Sequence, residues 1–278
     1  MWTSNSGFMP GDTSSPTPAS PAETAGAQTL RRGLAVLRLL TRVGPGGLRM
    51  GEIGRRLGLN KSTAVRLTRT LVDEGFVLHD QASSAYRLGP EAFAVGLAAE
   101  PSYALQRLAA PALQALALES GDTVFFTVRH GDESICLSRD EGDFPLRSHV
   151  QKPGDRFPLG VGAGSCAMLA ALADADVTDV LARSATLRAE RFPRCTDDAI
   201  WRMVAGARER GYCVVPGLVL ADSWAVGTVV FDTEGQPVAS ISLTAIKSRL
   251  GAARCADLGN RMMLASKAIT ALAGKGKS

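Results

Sequence analysis

The stretch "GLNKSTAVRLTRTLVDEGFV", residues 58–77, decides how the N-terminal part of the chain folds. Small and apolar residues recur in it at intervals of three and four, the pattern of an amphipathic helix: Ala64, Leu67 and Leu71. Either Asn60 or Ser62 can cap this helix, because a short polar side chain accepts a hydrogen bond from an unpaired backbone N–H there. The stretch therefore predicts one helix with a buried stripe and a polar outer face.

The outer face of this predicted helix carries hydroxyl groups and cations: Lys61, Ser62, Thr63, Arg66 and Arg69. Hydroxyl groups and helix N-termini bind the phosphates of DNA, and arginine reaches base edges in the major groove. Taken alone, the same residues also fit an ordinary helix cap followed by a solvated face. The neighbouring elements decide between these two interpretations.

Two further helices are predicted before this one. Leucines at three- and four-residue steps indicate a helix that starts at Gln28 and ends before "GPGG" at 44–47. The run "EIGRRLG" (52–58) indicates a short second helix, which stops at the glycine expected just past a helix end. The order is therefore helix, helix, turn and helix.

A β-hairpin is predicted after the third helix. The runs "FVLHD" (76–80) and "AYRLG" (85–89) are short and extended, and the polar turn "QASS" (81–84) separates them. Three helices and a hairpin predict a winged helix-turn-helix in which the third helix reads DNA. In the hairpin, Arg87 and the turn are best placed to add phosphate or minor-groove contacts.

The positive charge of the chain is concentrated in the same region. The whole chain has a formal net charge of +4. Residues 28–89 hold eleven Arg or Lys against four Asp or Glu and so carry +7, whereas residues 1–27 carry −2 and the remainder −1. A compact basic module on a nearly neutral body is what binding to a polyanion needs. The charge distribution favours DNA binding over a merely solvated face.

The rest of the chain predicts a tail, a linker and a larger domain. Residues 1–27 are rich in Pro, Ser, Thr and Gly, so we expect a disordered tail. Residues 90–106 are expected to form a linker helix. Residues 107–278 alternate helices with extended runs, one of them near 144–150, and strands at both ends indicate a sheet flanked by helices. The expected fold class is α+β with two domains, the first spanning 28–89.

Composition argues against several other classes of protein. No run approaches the roughly 18 consecutive apolar residues of a membrane span, and no signal-peptide pattern is present, so we expect a cytoplasmic protein without a membrane partner. The five cysteines are scattered, without close Cys–Cys or Cys–His pairs: Cys136, Cys166, Cys195, Cys213 and Cys255. Neither a disulfide framework nor a metal site is predicted, and no cofactor is expected.

Five blocks of the sequence, in this order, resemble the IclR-type bacterial transcription regulators: "EIGRRLGLNKSTAVRLTRTLVDEGFV", "YRLGPEAFAVG", "PLGVGAGSCAMLAAL", "RGYCVVPG" and "VVFDTEGQPVASISLTAIKSRL". The resemblance covers about residues 28–274. It implies a GAF-like α/β C-terminal domain that binds a small effector, often a carboxylate or an aromatic acid. It also implies homodimers or homotetramers, without enzymatic activity, that bind palindromic promoter operators in double-stranded DNA.

The resemblance further implies an effector cavity at the start of a helix. Ala163 and Gly164 match positions whose backbone N–H groups point at the ligand, and a helix N-terminus also suits an anion on physical grounds. Ser242 and Thr244 match hydroxyl positions, and their two-residue spacing puts both on one face of a strand. Other wall positions are matched by Leu146, His149 and Ala225.

Two positions depart from the family's pattern. Val215 stands where some relatives have an acidic residue, and Ala225 stands where others have a polar or thiol side chain. A more apolar cavity favours a larger or aromatic acid. The residues alone also allow a second interpretation, in which Ser242 and Thr244 lie on a solvated sheet face and the small residues at 160–167 serve only helix–sheet packing.

Three other functions fit part of the sequence. Cys166 follows "GVGAGS" (160–165) at a helix start, where a thiol can become nucleophilic with His149 as its base, but nothing recognisable orients such a base. Oxidation of Cys166 could replace the effector, although no paired resolving cysteine is evident. A non-specific architectural DNA binder has no use for a large α/β domain. The sequence thus predicts a sequence-specific regulator whose effector changes the spacing of two recognition helices in a dimer.

Overall fold

The computed structural model describes residues 25–99, 104–146 and 150–275. Its N-terminal part consists of three helices and a small antiparallel sheet of strand order β1-β3-β2. These elements are α1 (Ala25–Leu40), β1 (Leu48–Arg49), α2 (Met50–Leu57), α3 (Lys61–Asp73), β2 (Val77–Asp80) and β3 (Ala85–Leu88). The predicted winged helix-turn-helix is confirmed, with α1 beginning three residues earlier than expected and with the two-residue strand β1 added.

Helices α2 and α3 pack closely because the residues between and beneath them are small. Gly58 ends α2 in the left-handed conformation, with φ of 62°. A Cβ atom added to Gly54 would lie 3.2 Å from the carbonyl oxygen of Leu59 and 3.7 Å from Cβ of Ala64. A larger residue at Gly54 would push the two helices apart. The tight turn thus fixes how α3 projects from the domain.

Two helices follow the hairpin. Helix α4 (Pro90–Ala99) begins directly after the winged helix-turn-helix, and α5 (Ala104–Ser120) opens the C-terminal part. The predicted linker at 90–106 therefore starts as a helix. Residues 100–103 lie outside the described part of the chain.

The C-terminal part is a six-stranded antiparallel sheet between two layers of helices. The strand order is β6-β5-β4-β9-β8-β7. The strands are β4 (Thr123–His130), β5 (Glu133–Glu141), β6 (Arg156–Pro158), β7 (Cys213–Leu220), β8 (Ser223–Phe231) and β9 (Pro237–Ile246). One hydrophobic core joins the sheet to α6 (Ala163–Ala170), α7 (Asp174–Arg191) and α8 (Asp197–Arg210), and the other joins it to α5 and α9 (Ala252–Lys275). The expected α/β domain is confirmed.

The described part of the run predicted as a strand near 144–150 forms no strand. Residues 144–146 and 150, the described part of that run, are irregular. Pro145 has no N–H to donate to a strand ladder, which disfavours pairing there. The edge of the sheet is formed instead by the short strand β6, which pairs antiparallel with β5.

Candidate functional site

The start of helix α3 is capped by Asn60 rather than by Ser62. The Oδ1 atom of Asn60 accepts hydrogen bonds from the backbone N–H of Thr63, at 2.8 Å, and from the hydroxyl of Ser62, at 3.0 Å. The cap leaves the first N–H groups of the helix without intrahelical partners. This end of α3 therefore presents hydrogen-bond donors and a partial positive charge, which suit a phosphate.

One face of α3 brings the predicted cations together at the surface. Residues Lys61, Ser62, Val65, Arg66 and Arg69 line a shallow groove along the helix. Thr63 is half-buried beside them, whereas Ala64, Leu67 and Thr68 turn into the domain. Within the described part of the chain, none of the three cations forms an ion pair. Their charge is thus available to an anionic partner.

Val65 is a residue of this face that the sequence interpretation missed. Its side chain is 41% exposed. It lies three residues after Ser62 and four before Arg69, so the same helical spacing that grouped the polar residues would have included it. An exposed aliphatic side chain on such a helix can contact the methyl group of thymine.

The hairpin places Arg87 on the exposed side of strand β3. The turn beside it is held by Asp80, whose carboxylate accepts hydrogen bonds from the Ser83 hydroxyl at 2.8 Å and the Ala82 N–H at 3.0 Å. These two bonds, that of Ser83 first, lower the pKa of Asp80. The hairpin 77–88, which we call the wing, therefore has an ordered turn and an exposed arginine.

A second candidate site lies in the C-terminal domain, where the start of α6 meets strands β4, β8 and β9. It is a small, partly enclosed cavity of about 30 Å³. Five of the predicted effector residues line it: Ala163, Gly164, Ala225, Ser242 and Thr244. Val215, where the family's pattern is broken, lines it too.

The backbone of Ala163 and Gly164 is pressed against the sheet. A Cβ atom on Gly227 would lie 2.6 Å from the carbonyl carbon of Ala163 and from the nitrogen of Gly164, and one on Gly164 would lie 2.5 Å from Oγ of Ser240. The N–H groups of the first helical turn have no intrahelical acceptor. The small residues thus serve packing, and the same packing brings backbone donors to the cavity.

Ser242 and Thr244 do not lie on a solvated sheet face. They are 6% and 7% exposed, and both side chains line the cavity. In the described chain neither hydroxyl has a protein partner, whereas the hydroxyl of Thr127 in the same cavity is paired with that of Ser240 at 2.6 Å. Two buried hydroxyls therefore remain to bind a ligand.

The other walls are mostly apolar, and none of the described lining residues is charged. Phe125, Phe157 and Gln151 line the cavity and were not predicted. Phe125 lies opposite Ser242 in the pairing of β4 with β9. The sequence carries no signal for that register, because β4 and β9 are far apart in the chain. Gln151 belongs to an irregular segment, for which no periodicity exists.

Two predicted wall residues are not among the described residues that line the cavity. Leu146 is 61% exposed and does not line the cavity, because the strand that was expected to carry it is absent around Pro145. His149 lies outside the described residues. Of the described residues in the predicted run, only Val150 lines the cavity, together with Gln151 directly after it.

All five cysteines are buried. Burial raises the pKa of Cys136 to about 12 and that of Cys195 to about 11. A hydrogen bond with Cys213, and then burial, raises the pKa of Cys166 well above its usual range. These thiols are protonated at neutral pH, so they lack the thiolate that a nucleophile needs. The described residues contain no cluster of three potential metal ligands and no helix long and apolar enough to cross a membrane.

Comparison with known proteins identifies both domains. Residues 29–81 match the IclR helix-turn-helix domain, and residues 99–271 match the bacterial transcriptional regulator IclR C-terminal domain. The transcriptional repressor AllR of Salmonella paratyphi A is 28% identical over 259 residues, which cover 93% of this chain and 94% of AllR. AllR of Escherichia coli K12 is 28% identical over 235 residues, covering 84% and 86%.

Solved structures show the same fold. An IclR regulator from Alicyclobacillus acidocaldarius superposes with a TM-score of 0.73 at 24% identity, over 88% of this chain and 98% of that one. An IclR homologue from Microbacterium hydrocarbonoxydans, crystallised with 4-hydroxybenzoate, gives 0.71 at 20% identity, over 89% and 99%. Because the C-terminal match alone spans more than half of the chain, the protein belongs to the IclR family of bacterial transcriptional regulators and is not an enzyme.

Proposed function

We propose that this regulator binds a specific operator and that a small organic acid, preferably aromatic, controls the binding from the C-terminal cavity. One observation carries the proposal: among the described residues, the N–H groups of Ala163 and Gly164 and the hydroxyls of Ser242 and Thr244 have no partner and share one cavity. Hydrogen-bond donors at a helix N-terminus stabilise a carboxylate, and the helix dipole favours negative charge there.

The walls around these donors favour an aromatic acid. Phe125 and Phe157 offer ring faces, and Val215 and Ala225 are apolar where relatives can be polar. The homologue from Microbacterium hydrocarbonoxydans binds 4-hydroxybenzoate, an acid of this class. At about 30 Å³ the cavity holds about two waters. Ligand sites usually measure roughly 300–1,000 Å³, so the ligand-bound form has a wider cavity.

The DNA-binding role is assigned to helix α3 and the wing. In this proposal α3 lies in the major groove, with Arg66 and Arg69 toward base edges and Lys61, Ser62 and Thr63 toward phosphates. Arg87 on the wing contacts a phosphate or the minor groove. Because the proposed target is chromosomal DNA, this function requires the protein to be in the cytoplasm.

A second copy of the chain is the partner that the N-terminal domain favours. Large apolar side chains are exposed on α1 and α4, with Leu30 at 64%, Phe93 at 70% and Leu97 at 56%. Phe93 and Leu97 lie four residues apart on one face of α4, and an exposed apolar face is typical of an interface. We propose a homodimer, or a tetramer of two dimers, that presents two recognition helices to a palindromic operator. The buried, protonated thiols give no support to redox control.

The test measures DNA binding and effector binding separately. Fluorescence anisotropy follows binding to a labelled duplex from the region upstream of the protein's own gene, against unrelated DNA, while small organic acids including 4-hydroxybenzoate are added. Calorimetry then measures the affinity of the acid that changes the anisotropy. We expect preferential binding of the upstream duplex and a response to one aromatic acid.

The Ser242→Ala variant tests whether the effector binds in the cavity. A hydrogen bond to a charged group contributes about 1.5–3 kcal/mol, so effector affinity should fall about 10-fold or more while effector-free DNA binding is kept. Ser266→Ala is the matched control, because Ser266 is also buried but donates to the Val229 carbonyl on the other side of the sheet. Equal effector affinity in Ser242→Ala and wild type would remove this serine from the site.

A further inference from the structure

One short segment touches both the cavity and the DNA-binding domain. We call residues 150–155 the bridging segment. At its start, Val150 and Gln151 line the cavity. At its end, Asp155 Oδ1 lies 3.3 Å from Nε of Arg42, which follows α1 in the DNA-binding domain. Six residues thus connect the cavity with the DNA-binding domain.

The bridging segment is held in one shape by a hydrogen bond within it and by two with Cys136 of strand β5. The N–H of Gly154 donates to the carbonyl of Cys136 at 2.8 Å, and the N–H of Cys136 donates to the carbonyl of Asp155 at 2.9 Å. The N–H of Lys152 donates to Oδ2 of Asp155, also at 2.9 Å. Because its turn is closed by these bonds, a shift at one end carries to the other.

The contact with the DNA-binding domain is also close packed. A Cβ atom on Gly154, whose φ is +89°, would lie 2.9 Å from Oγ1 of Thr41. Thr41 and Arg42 directly follow Leu40, which is buried in the core of the DNA-binding domain, and α1 packs on the recognition helix α3. A displacement of the bridging segment therefore acts on the end of α1 and through it on α3.

The bridging segment is the wall of the cavity that can yield. The start of α6 is fixed against the sheet by the contact between Ala163 and Gly227. Strands β4, β8 and β9 are hydrogen-bonded on both sides. Val150, in contrast, lies with Phe157 and Val219 between the cavity and an open groove of about 330 Å³ that Asp155 also lines. A ligand larger than two waters can displace Val150 into this groove.

We infer that the bridging segment transmits effector binding to the DNA-binding domain through the contact of Asp155 and Gly154 with Arg42 and Thr41. The inference rests on the proposed function, and it adds the route by which the cavity controls the recognition helix. Coupling between two binding sites is reciprocal, so DNA binding must also change the stability of the hydrogen bonds in the bridging segment. This consequence can be measured without knowing the effector.

The experiment compares amide hydrogen exchange of the full-length protein with and without the upstream DNA duplex. In the wild type we expect DNA to change the exchange rate of the Gly154 amide about 5-fold or more, the lower end of typical coupling. Asp155→Asn keeps the acceptor for Lys152 but removes the charge opposite Arg42, and Arg42→Gln removes the other partner. Both variants should lose a measurable part of this response, with the packing of Thr41 on Gly154 carrying the rest, and the double variant should lose no more than either one.

Asp174→Asn is the matched control, because it breaks an exposed ion pair with Arg208 inside the C-terminal domain. It should respond as the wild type does. An unchanged Gly154 amide in the DNA-bound wild type, or a wild-type response in Asp155→Asn, would overturn the inference. If the wild type does not prefer the upstream duplex to unrelated DNA, the anisotropy titration reveals this first, and the proposed function itself fails.

Discussion

Replacing Gly227 with alanine should loosen the start of helix α6 and weaken effector binding. Gly227 lies on β8 and has no left-handed backbone conformation, so alanine meets no conformational penalty. The added Cβ would lie 2.6 Å from backbone atoms of Ala163 and Gly164, which cannot rotate away. Overpacking of this kind costs about 1–3 kcal/mol. For domains of roughly 150–250 residues each kcal/mol lowers Tm by about 2–4 °C, which gives a fall of about 2–12 °C.

The assay is thermal unfolding of full-length Gly227→Ala followed by circular dichroism, together with calorimetry of the effector. The control is Gly51→Ala, since a Cβ atom at Gly51 in α2 meets no other atom within 4 Å. The control should leave the transition of the C-terminal domain and the effector affinity unchanged. If Gly227→Ala melts within about 1 °C of the wild type, the helix does not pack on β8 as described, and the donor geometry of the cavity is wrong.

Three other outcomes are expected. Arg66→Ala should weaken operator binding by about 1–3 kcal/mol in anisotropy titrations, and equal affinity with the exposed Arg202→Ala control would exclude a base contact. Lys61→Ala should reduce the slope of log K against log salt by about 0.9, the contribution of one phosphate contact, and an unchanged slope would place the lysine off the DNA. Because burial raises the pKa of Cys136 from 9.0 to about 12, its protonated form contributes stability that is complete below pH 9 and lost as pH rises toward 12. Urea titrations at several pH values measure the free energy of unfolding. Between pH 9 and 12 it should fall by about 1.4 kcal/mol more per pH unit in the wild type than in Cys136→Ala, and an equal pH dependence in the two proteins would contradict the burial of a protonated thiol.

The DNA-binding domain was predictable from the sequence because its signals are local. Helical spacing of Ala64 and Leu67, the glycine at the end of α2 and the polar turn of the hairpin each act within a few residues. The cavity was predictable only where the family resemblance supplied positions. Phe125 reaches it through the pairing of two strands that lie far apart in the chain, and Leu146 misses it because Pro145 interrupts the expected strand. Long-range register and irregular segments leave no periodic pattern to find.

The contact between Arg42 and Asp155 is weak as a stabilising interaction, and it supplies only part of the coupling assigned to the bridging segment. Their side chains are 39% and 23% exposed, and exposed ion pairs contribute about 0–1 kcal/mol. A regulatory switch needs only about 1–3 kcal/mol of coupling. In a dimer the contact occurs twice, and the packing of Thr41 on Gly154 adds a steric term that salt does not screen.

High salt should therefore weaken DNA binding far more than it weakens the effector response, because the phosphate contacts are electrostatic whereas much of the coupling is not. If added salt removes the effector response to the extent that it screens the ion pair, then Arg42 transmits the signal and the packing on Gly154 does not contribute.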